Sequence, residues 1–260
     1  MEIALKSTER FSDRVTDYLK FRPSYPSQLI DTLQSTCGLD SESVVADVGS
    51  GTGKLTELLL QRNCSVFGVE PNTEMREAAE TLLGDYRTFT SVAGDSASTG
   101  LADGSIDLIT AAQAFHWFEL DKTKQEFTRI LKPHGRVALI WNQRDTTSSF
   151  QSEYDQMLQR HCEDYSKVNH RNITDDQLHE FLSPAKFEHF TYPYSQQFDL
   201  AGFLGRLFSS SYTPSSGSEA ASELTERATE LYGQYATDGL VEFSYQTNLY
   251  LSTYGSHSRG

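Results

Sequence analysis

Two hydrophobic periods alternate along the middle of the chain. Short apolar runs with strand character stand at residues 44–46, 65–69, 89–93, 106–113 and 136–142. Between them apolar residues recur at helical spacing: Leu55, Leu58 and Leu59, then Met75, Ala78, Ala79 and Leu82, then Phe127, Ile130 and Leu131. Each run predicts a strand, and each spaced set predicts the inward face of a helix. Pro71-Asn72 and Asp121 mark helix starts, while Gly84 and the turn L-K-P-H-G-R mark helix ends. Strands and helices in this alternation predict an α/β fold.

The flanks read differently. Residues 9–36 predict two helices broken at R-P-S-Y-P, with Phe11, Val15, Tyr18 and Leu19 on one face and Gly38 closing the second. That arm either packs over the sheet edge or forms a flap through which Tyr18 and Arg22 reach a ligand. Past Asn142 the pattern predicts helices over 150–165, 175–182 and 219–235, and strands over 186–198 and 243–254. Pro193 makes the first of these strands an edge or bulged one. The turns S-S-S-Y-T-P, which contains Tyr212, and S-S-G-S-E are loops, and residues 255–260 a frayed tail.

The stretch V-V-A-D-V-G-S-G-T-G-K, Val44 to Lys54, joins the first strand to the first helix of this core. A strand, a glycine turn and a helix in that order form a nucleotide-binding corner. A P-loop would need glycine where Val48 stands and Ser or Thr where Leu55 stands. A dinucleotide fingerprint would need a small residue at Lys54. Asp47, two residues before Gly49, repels a pyrophosphate and attracts an ammonium or sulfonium group. The implied ligand is cationic and carries no phosphate.

Further candidates follow at the later strand ends. Glu70 lies 23 positions beyond Asp47, near the spacing of about 20 at which an acid meets a ribose diol. Asp95, in G-D-S-A, either accepts from an adenine amine or closes an ordinary Asx turn. After the fourth strand comes A-F-H-W-F, Ala114 to Phe118. In open α/β sheets the reacting groups bind beyond this end of the strands. His116 is there either a general base or an orienting, packed ring, and Phe115 or Trp117 can stack on substrate.

Composition narrows the partners. A formal net charge of −14 with dispersed Lys and Arg argues against nucleic acid and anionic membrane surfaces. Three cysteines at unrelated spacings suggest neither a disulfide framework nor a metal site. The N-terminus has no basic-then-apolar pattern, and no apolar run approaches membrane-spanning length, so the expected location is cytoplasmic.

The motifs V-A-D-V-G-S-G-T-G, V-E-P-N, A-G-D-S-A, the Q-A-F-H-W-F tail of the fourth strand and L-K-P-H-G-R together resemble the class I S-adenosylmethionine-dependent methyltransferases. The resemblance covers residues 10–142 and is greatest to the small-molecule branch, methyltransferase type 11 and trans-aconitate-like. His134 stands where that family usually has glycine. The resemblance implies a Rossmann-like, doubly wound seven-stranded sheet ordered 3-2-1-4-5-7-6 with a helical substrate cap. It divides a single domain into an arm (1–40), a cofactor core (41–145), a cap around strand six (146–240) and a last strand (241–254).

It also implies S-adenosyl-L-methionine as cofactor and a small-molecule acceptor, O- or N-methylated. Asp47 with Gly49, Ser50, Gly51 and Gly53 would hold the methionine part, and Tyr18 and Arg22 would close over its carboxylate. Glu70 would take the ribose, with Pro71, Asn72 and Met75 flanking the adenosyl group. Asp95, Ser96 and Ala97 would take the adenine, and Gln113 and Ala114 would lie near the sulfonium. Phe115, His116, Trp117 and Tyr212 would face the acceptor, with His116 catalytic and no metal. A non-catalytic cofactor-binding protein and, more remotely, a nicotinamide oxidoreductase are the competing readings.

Overall fold

A computed structural model describes residues 20–165, 175–183 and 186–253. The predicted first helix of the arm, Tyr18 and the tail at 255–260 lie outside them. Helix α1 (Ser27–Cys37) ends at Gly38, whose φ of 67° is the left-handed cap expected there. Then follow β1 (Val44–Val48), α2 (Lys54–Leu60), β2 (Ser65–Val69), α3 (Thr73–Leu83), β3 (Phe89–Val92) and β4 (Ile106–Ala112). A 3-10 turn (Phe115–Trp117), α4 (Leu120–Ile130) and β5 (Leu131–Arg144) complete the alternating part. The remainder is α5 (Ser149–His161), α6 (Asp175–Leu182), β6 (Phe187–Phe198), α7 (Leu200–Phe208), α8 (Glu219–Tyr235) and β7 (Val241–Thr253).

The seven strands form one sheet in the order β3-β2-β1-β4-β5-β7-β6, as expected. Strands β1 to β5 pair in parallel, and β7 enters antiparallel between β5 and β6. Adjacent residues in the strands serve opposite faces. Val45 and Leu108 join Leu29 and Leu33 of α1 and Leu55 and Leu59 of α2. Their neighbours Ala46 and Ile109 join Phe127 and Ile130 of α4 and Phe181 of α6. A third cluster, built on Phe150, Tyr154, Phe203, Leu224 and Phe243, packs α5, α7 and α8 against the start of β7.

Several boundaries differ from the sequence pattern. Helix α4 starts at Leu120, so Asp121 sits inside its first turn and makes no cap, acting instead through its charge on the helix dipole. Strand β5 begins at Leu131, before the predicted Arg136. Its register jumps from Ile106↔Leu131 to Leu108↔Arg136, which absorbs Lys132 to Gly135 as an irregularity. Helix α7 was not predicted, because a short apolar run has no readable period. The side chain of Asp199 starts it, accepting from the Gly202 N–H at 2.7 Å. Pro193 does lie on an edge strand: β6 pairs with β7 alone.

Candidate active site

Strand order reverses between β1 and β4, and the segments leaving these strands face each other. Gly49, with φ of 70°, turns the chain out of β1; a Cβ there would stand 2.5 Å from the Cβ of Ala114. The glycine turn and the segment after β4 therefore touch, and only glycine permits it. The N–H groups of Gly49 and Ser50 donate to the Val69 carbonyl at 2.8 and 3.2 Å, folding the turn back onto β2.

Asp47 is 1% exposed at the floor of this corner. The hydroxyls of Thr56 and Thr110 donate to its two oxygens at 2.7 and 2.8 Å. Burial pushes its pKa up, against the pull of those two hydroxyls. No cation pairs with it among the described residues.

Glu70, at the end of β2, bridges two turns. Gly51 N–H donates to its Oε2 at 2.8 Å and Asn72 N–H to its Oε1 at 2.9 Å. Burial raises its pKa, opposed by these donors and by Arg76. Asn72 caps α3, its Oδ1 accepting from Met75 N–H at 2.8 Å. Met75 is buried and Pro71 exposed.

The loop after β3 is tied down from below. Asp95 Oδ1 accepts from the N–H groups of Ala97 and Ser98, which is the Asx turn, and its other oxygen makes no bond among the described residues. Ser96 points away from the loop surface and accepts from Thr123 on α4 at 2.8 Å. Glu126, also on α4, accepts from Thr99 N–H at 2.8 Å and from Arg129. No sequence signal marked it. The Arg129 guanidinium, helped by Thr99, holds the Glu126 carboxyl down to about 2. A lowered carboxyl stabilises the fold above its unfolded pKa, and that stability is lost as pH falls through the folded one. Glu126→Gln should thus melt earlier than wild type at neutral pH. The gap should close between pH 4.5 and about 2, as read by melting temperature against pH.

At the end of β4, Gln113 has φ of 56°, a conformation that costs a side-chain-bearing residue energy and marks it as held by its surroundings. Its N–H donates to Ile140 O at 2.9 Å. Of the aromatic tail that follows, Phe115 was expected at the substrate; it is instead 2% exposed and packs edge-on against Trp141 and Phe181 at 5.9 and 4.7 Å. The 3-10 turn sends its ring into the core and leaves His116 and Trp117 on the cavity, their rings 4.9 Å apart.

A single open cavity of about 130 Å³ gathers Arg22, Asp47, Gly49, Ser50, Gln113, His116, Trp117 and Tyr212. Glu70, Pro71, Met75 and the Asp95–Ala97 loop stand outside its lining, toward β2 and β3. Sequence reasoning missed the opposite wall: Asn142 and Arg144 from β5, Arg206 from α7, and Tyr165 and Tyr245. The available signal was a lone arginine within the apolar run L-A-G-F-L-G-R-L-F. The arm joins this wall, since Arg22 donates to Ser209 O at 3.2 and 3.3 Å. Phe21 lies so close to Gly205 that a Cβ there would fall 2.1 Å from its ring.

Residues 46–139 match the methyltransferase domain family. An uncharacterized methyltransferase-like protein of Schizosaccharomyces pombe is 32% identical over 155 residues, 59% of this chain and 59% of that protein. An uncharacterized methyltransferase of Mycobacterium bovis is 34% identical over 150 residues, 58% of this chain and 59% of its own. The chain therefore spans about three fifths of each of these relatives. Among solved structures, one described as a type II methyltransferase from Anaeromyxobacter dehalogenans aligns over 91% of this chain and 100% of its own. Its TM-score is 0.66 at 20% identity. Phosphoethanolamine N-methyltransferase 2 of Haemonchus contortus, solved with S-adenosylhomocysteine, aligns over 96% of this chain and 59% of its own, with TM-score 0.58 at 16% identity. These two show a shared fold.

Proposed function

We propose that the chain is a class I S-adenosylmethionine-dependent methyltransferase and methylates a small organic acceptor by in-line displacement, a reading that the match of residues 46–139 to the methyltransferase domain family supports. The observation that carries this reading is Asp47, a buried carboxylate with hydroxyl partners, no cation partner among the described residues and a place in the cavity wall. A carboxylate has lone pairs beyond those two hydrogen bonds, and an ammonium group suits them.

Other residues fit the remaining parts of the cofactor. Each Glu70 oxygen accepts one backbone N–H and keeps a lone pair, which suits a vicinal diol. The unused oxygen of Asp95 suits an exocyclic amine. Arg22 and Lys54, neighbours on the cavity wall, suit a carboxylate. Bound S-adenosylmethionine supplies a methyl group on a sulfonium, whose C–S electron pair stays on sulfur when the acceptor's lone pair takes the methyl carbon.

The protein's own work is alignment and exclusion of water. The strained Gln113 sets one wall of the reaction end, with Ala114 behind it against Gly49, and His116 and Trp117 set the next. Among the described residues, α5, α7 and α8 act as the cap, residues 41–145 as the cofactor core and residues 20–40 as the arm. The cavity's volume of about 130 Å³ favours a small acceptor, and the net charge of −14 disfavours nucleic acid. No helix among the described residues is long and apolar enough to cross a membrane.

Calorimetric titration of S-adenosylhomocysteine tests the reading; a folded chain that binds neither it nor S-adenosylmethionine overturns it. With a hydroxyl acceptor, which must lose a proton, His116→Ala is expected to lower kcat about 100-fold while S-adenosylhomocysteine affinity holds. An unchanged kcat assigns the ring to packing against Trp117.

A further inference from the structure

We propose that the wall facing the glycine turn is an anion site, in which Arg144 and Arg206 grip a carboxylate or phosphate group of the methyl acceptor. This rests on the cofactor reading above and names the acceptor's chemical class.

Arg206 is 5% exposed. Its hydrogen bonds run to hydroxyls, Tyr245 and Ser210, both at 3.2 Å, and it forms no ion pair among the described residues. Arg144 gives one nitrogen to Asp155 at 3.0 Å and to the Tyr165 hydroxyl, and its guanidinium lies 4.9 Å from the Tyr154 ring centroid. Its Nη1 is buried with no hydrogen-bond partner. Asp155 cannot serve both arginines, because Tyr165 and Gln159 also draw on it. A guanidinium held out of water without its anion is costly, and the cost is recovered when a ligand brings one.

The charge of the whole cavity points the same way. Arg22, Lys54, Arg144 and Arg206 line it against Asp47, with Asp155 behind Arg144, so positive charge is in excess. S-adenosylmethionine, with a sulfonium, an ammonium and one carboxylate, adds more. Its carboxylate matches the Arg22–Lys54 side, and Arg144 with Arg206 remain. Tyr212 reports the local potential: burial pushes its phenol up, yet Arg144, Arg206 and Arg22 outweigh burial and bring it below the ordinary value. The planar forks of two guanidiniums match an oxyacid group, which offers paired oxygens. Asp47 is the one acid among the described residues that line this cavity.

The test is calorimetric titration of benzoate, succinate, citrate and inorganic phosphate into the full chain saturated with S-adenosylhomocysteine, with benzamide and succinamide as neutral controls. At least one anion should bind and the amides should not; the carboxylate and phosphate arms identify the oxyacid. Arg206→Gln should weaken anion binding about 30-fold and leave S-adenosylhomocysteine affinity unchanged. Arg206→Lys, which keeps charge and loses the fork, should fall between, and decides the point if melting shows the Gln variant unfolded. The proposal is overturned if no anion binds, if both variants bind it like wild type, or if the anion displaces S-adenosylhomocysteine. Should S-adenosylhomocysteine itself fail to bind, the cofactor reading fails, and the same titration without it still decides the anion site.

Discussion

Asp47→Asn is expected to raise the Kd for S-adenosylhomocysteine about 100-fold, because removing one member of a desolvated charge pair costs about 2–5 kcal/mol. The exchange keeps the shape and lets Thr56 and Thr110 keep a hydrogen-bonding partner, so the fold should survive. The chain without ligand should even gain stability near neutral pH. Burial raises the folded-state pKa of Asp47 above its unfolded value. Such a group contributes stability below the unfolded pKa, and that contribution is lost as pH rises through the folded one. A buried, uncompensated carboxylate is therefore a liability at neutral pH that the ligand's ammonium relieves. Cofactor affinity of the wild type should in turn fall as pH drops through the raised Asp47 pKa, and the Asn variant should not show that fall. An Asn variant that binds as tightly as wild type would remove Asp47 from the ligand.

Gly49→Ala should damage both stability and binding. At φ of 70° a Cβ costs about 1–2 kcal/mol. This one would also sit 2.5 Å from the Cβ of Ala114, an overlap that only a backbone shift can relieve, for about 1–3 kcal/mol more. The combined loss predicts a melting temperature lower by about 4–20 °C. Because the shift would part the glycine turn from the segment carrying Gln113 and His116, S-adenosylhomocysteine binding should weaken beyond what stability explains. Gly49→Ala that melts and binds like wild type would show that the two segments do not need this contact.

Much of the architecture was legible because it is written in local periods. The alternation of strand runs and helical faces from Val44 to Asn142 maps onto β1 to β5 and the helices between them. The glycine turn and Gly38 announced themselves, since only particular backbone angles suit them. What failed was whatever lacks a period or depends on a neighbour. Helix α7 is too short and too apolar to read as a helix, and Asp121 lost its capping role to Glu119, two residues earlier. Phe115, His116 and Trp117 are adjacent in sequence, and only the 3-10 turn sorts one ring into the core and two onto the cavity.

The sequence by itself determined the alternating strands and helices, the corner and the kind of ligand charge that corner admits, because a strand, a turn and an acid are consecutive residues whose chemistry is local. Only the tertiary structure decided the wall that faces the glycine turn. Arg22, Arg144 and Arg206 come from the arm, from β5 and from α7, and nothing in the spacing of three distant arginines says that they share a cavity. The overall charge of the chain pointed the other way, since acids dispersed over a surface do not set the potential in a desolvated pocket. That potential is a property of which side chains the fold brings together out of water.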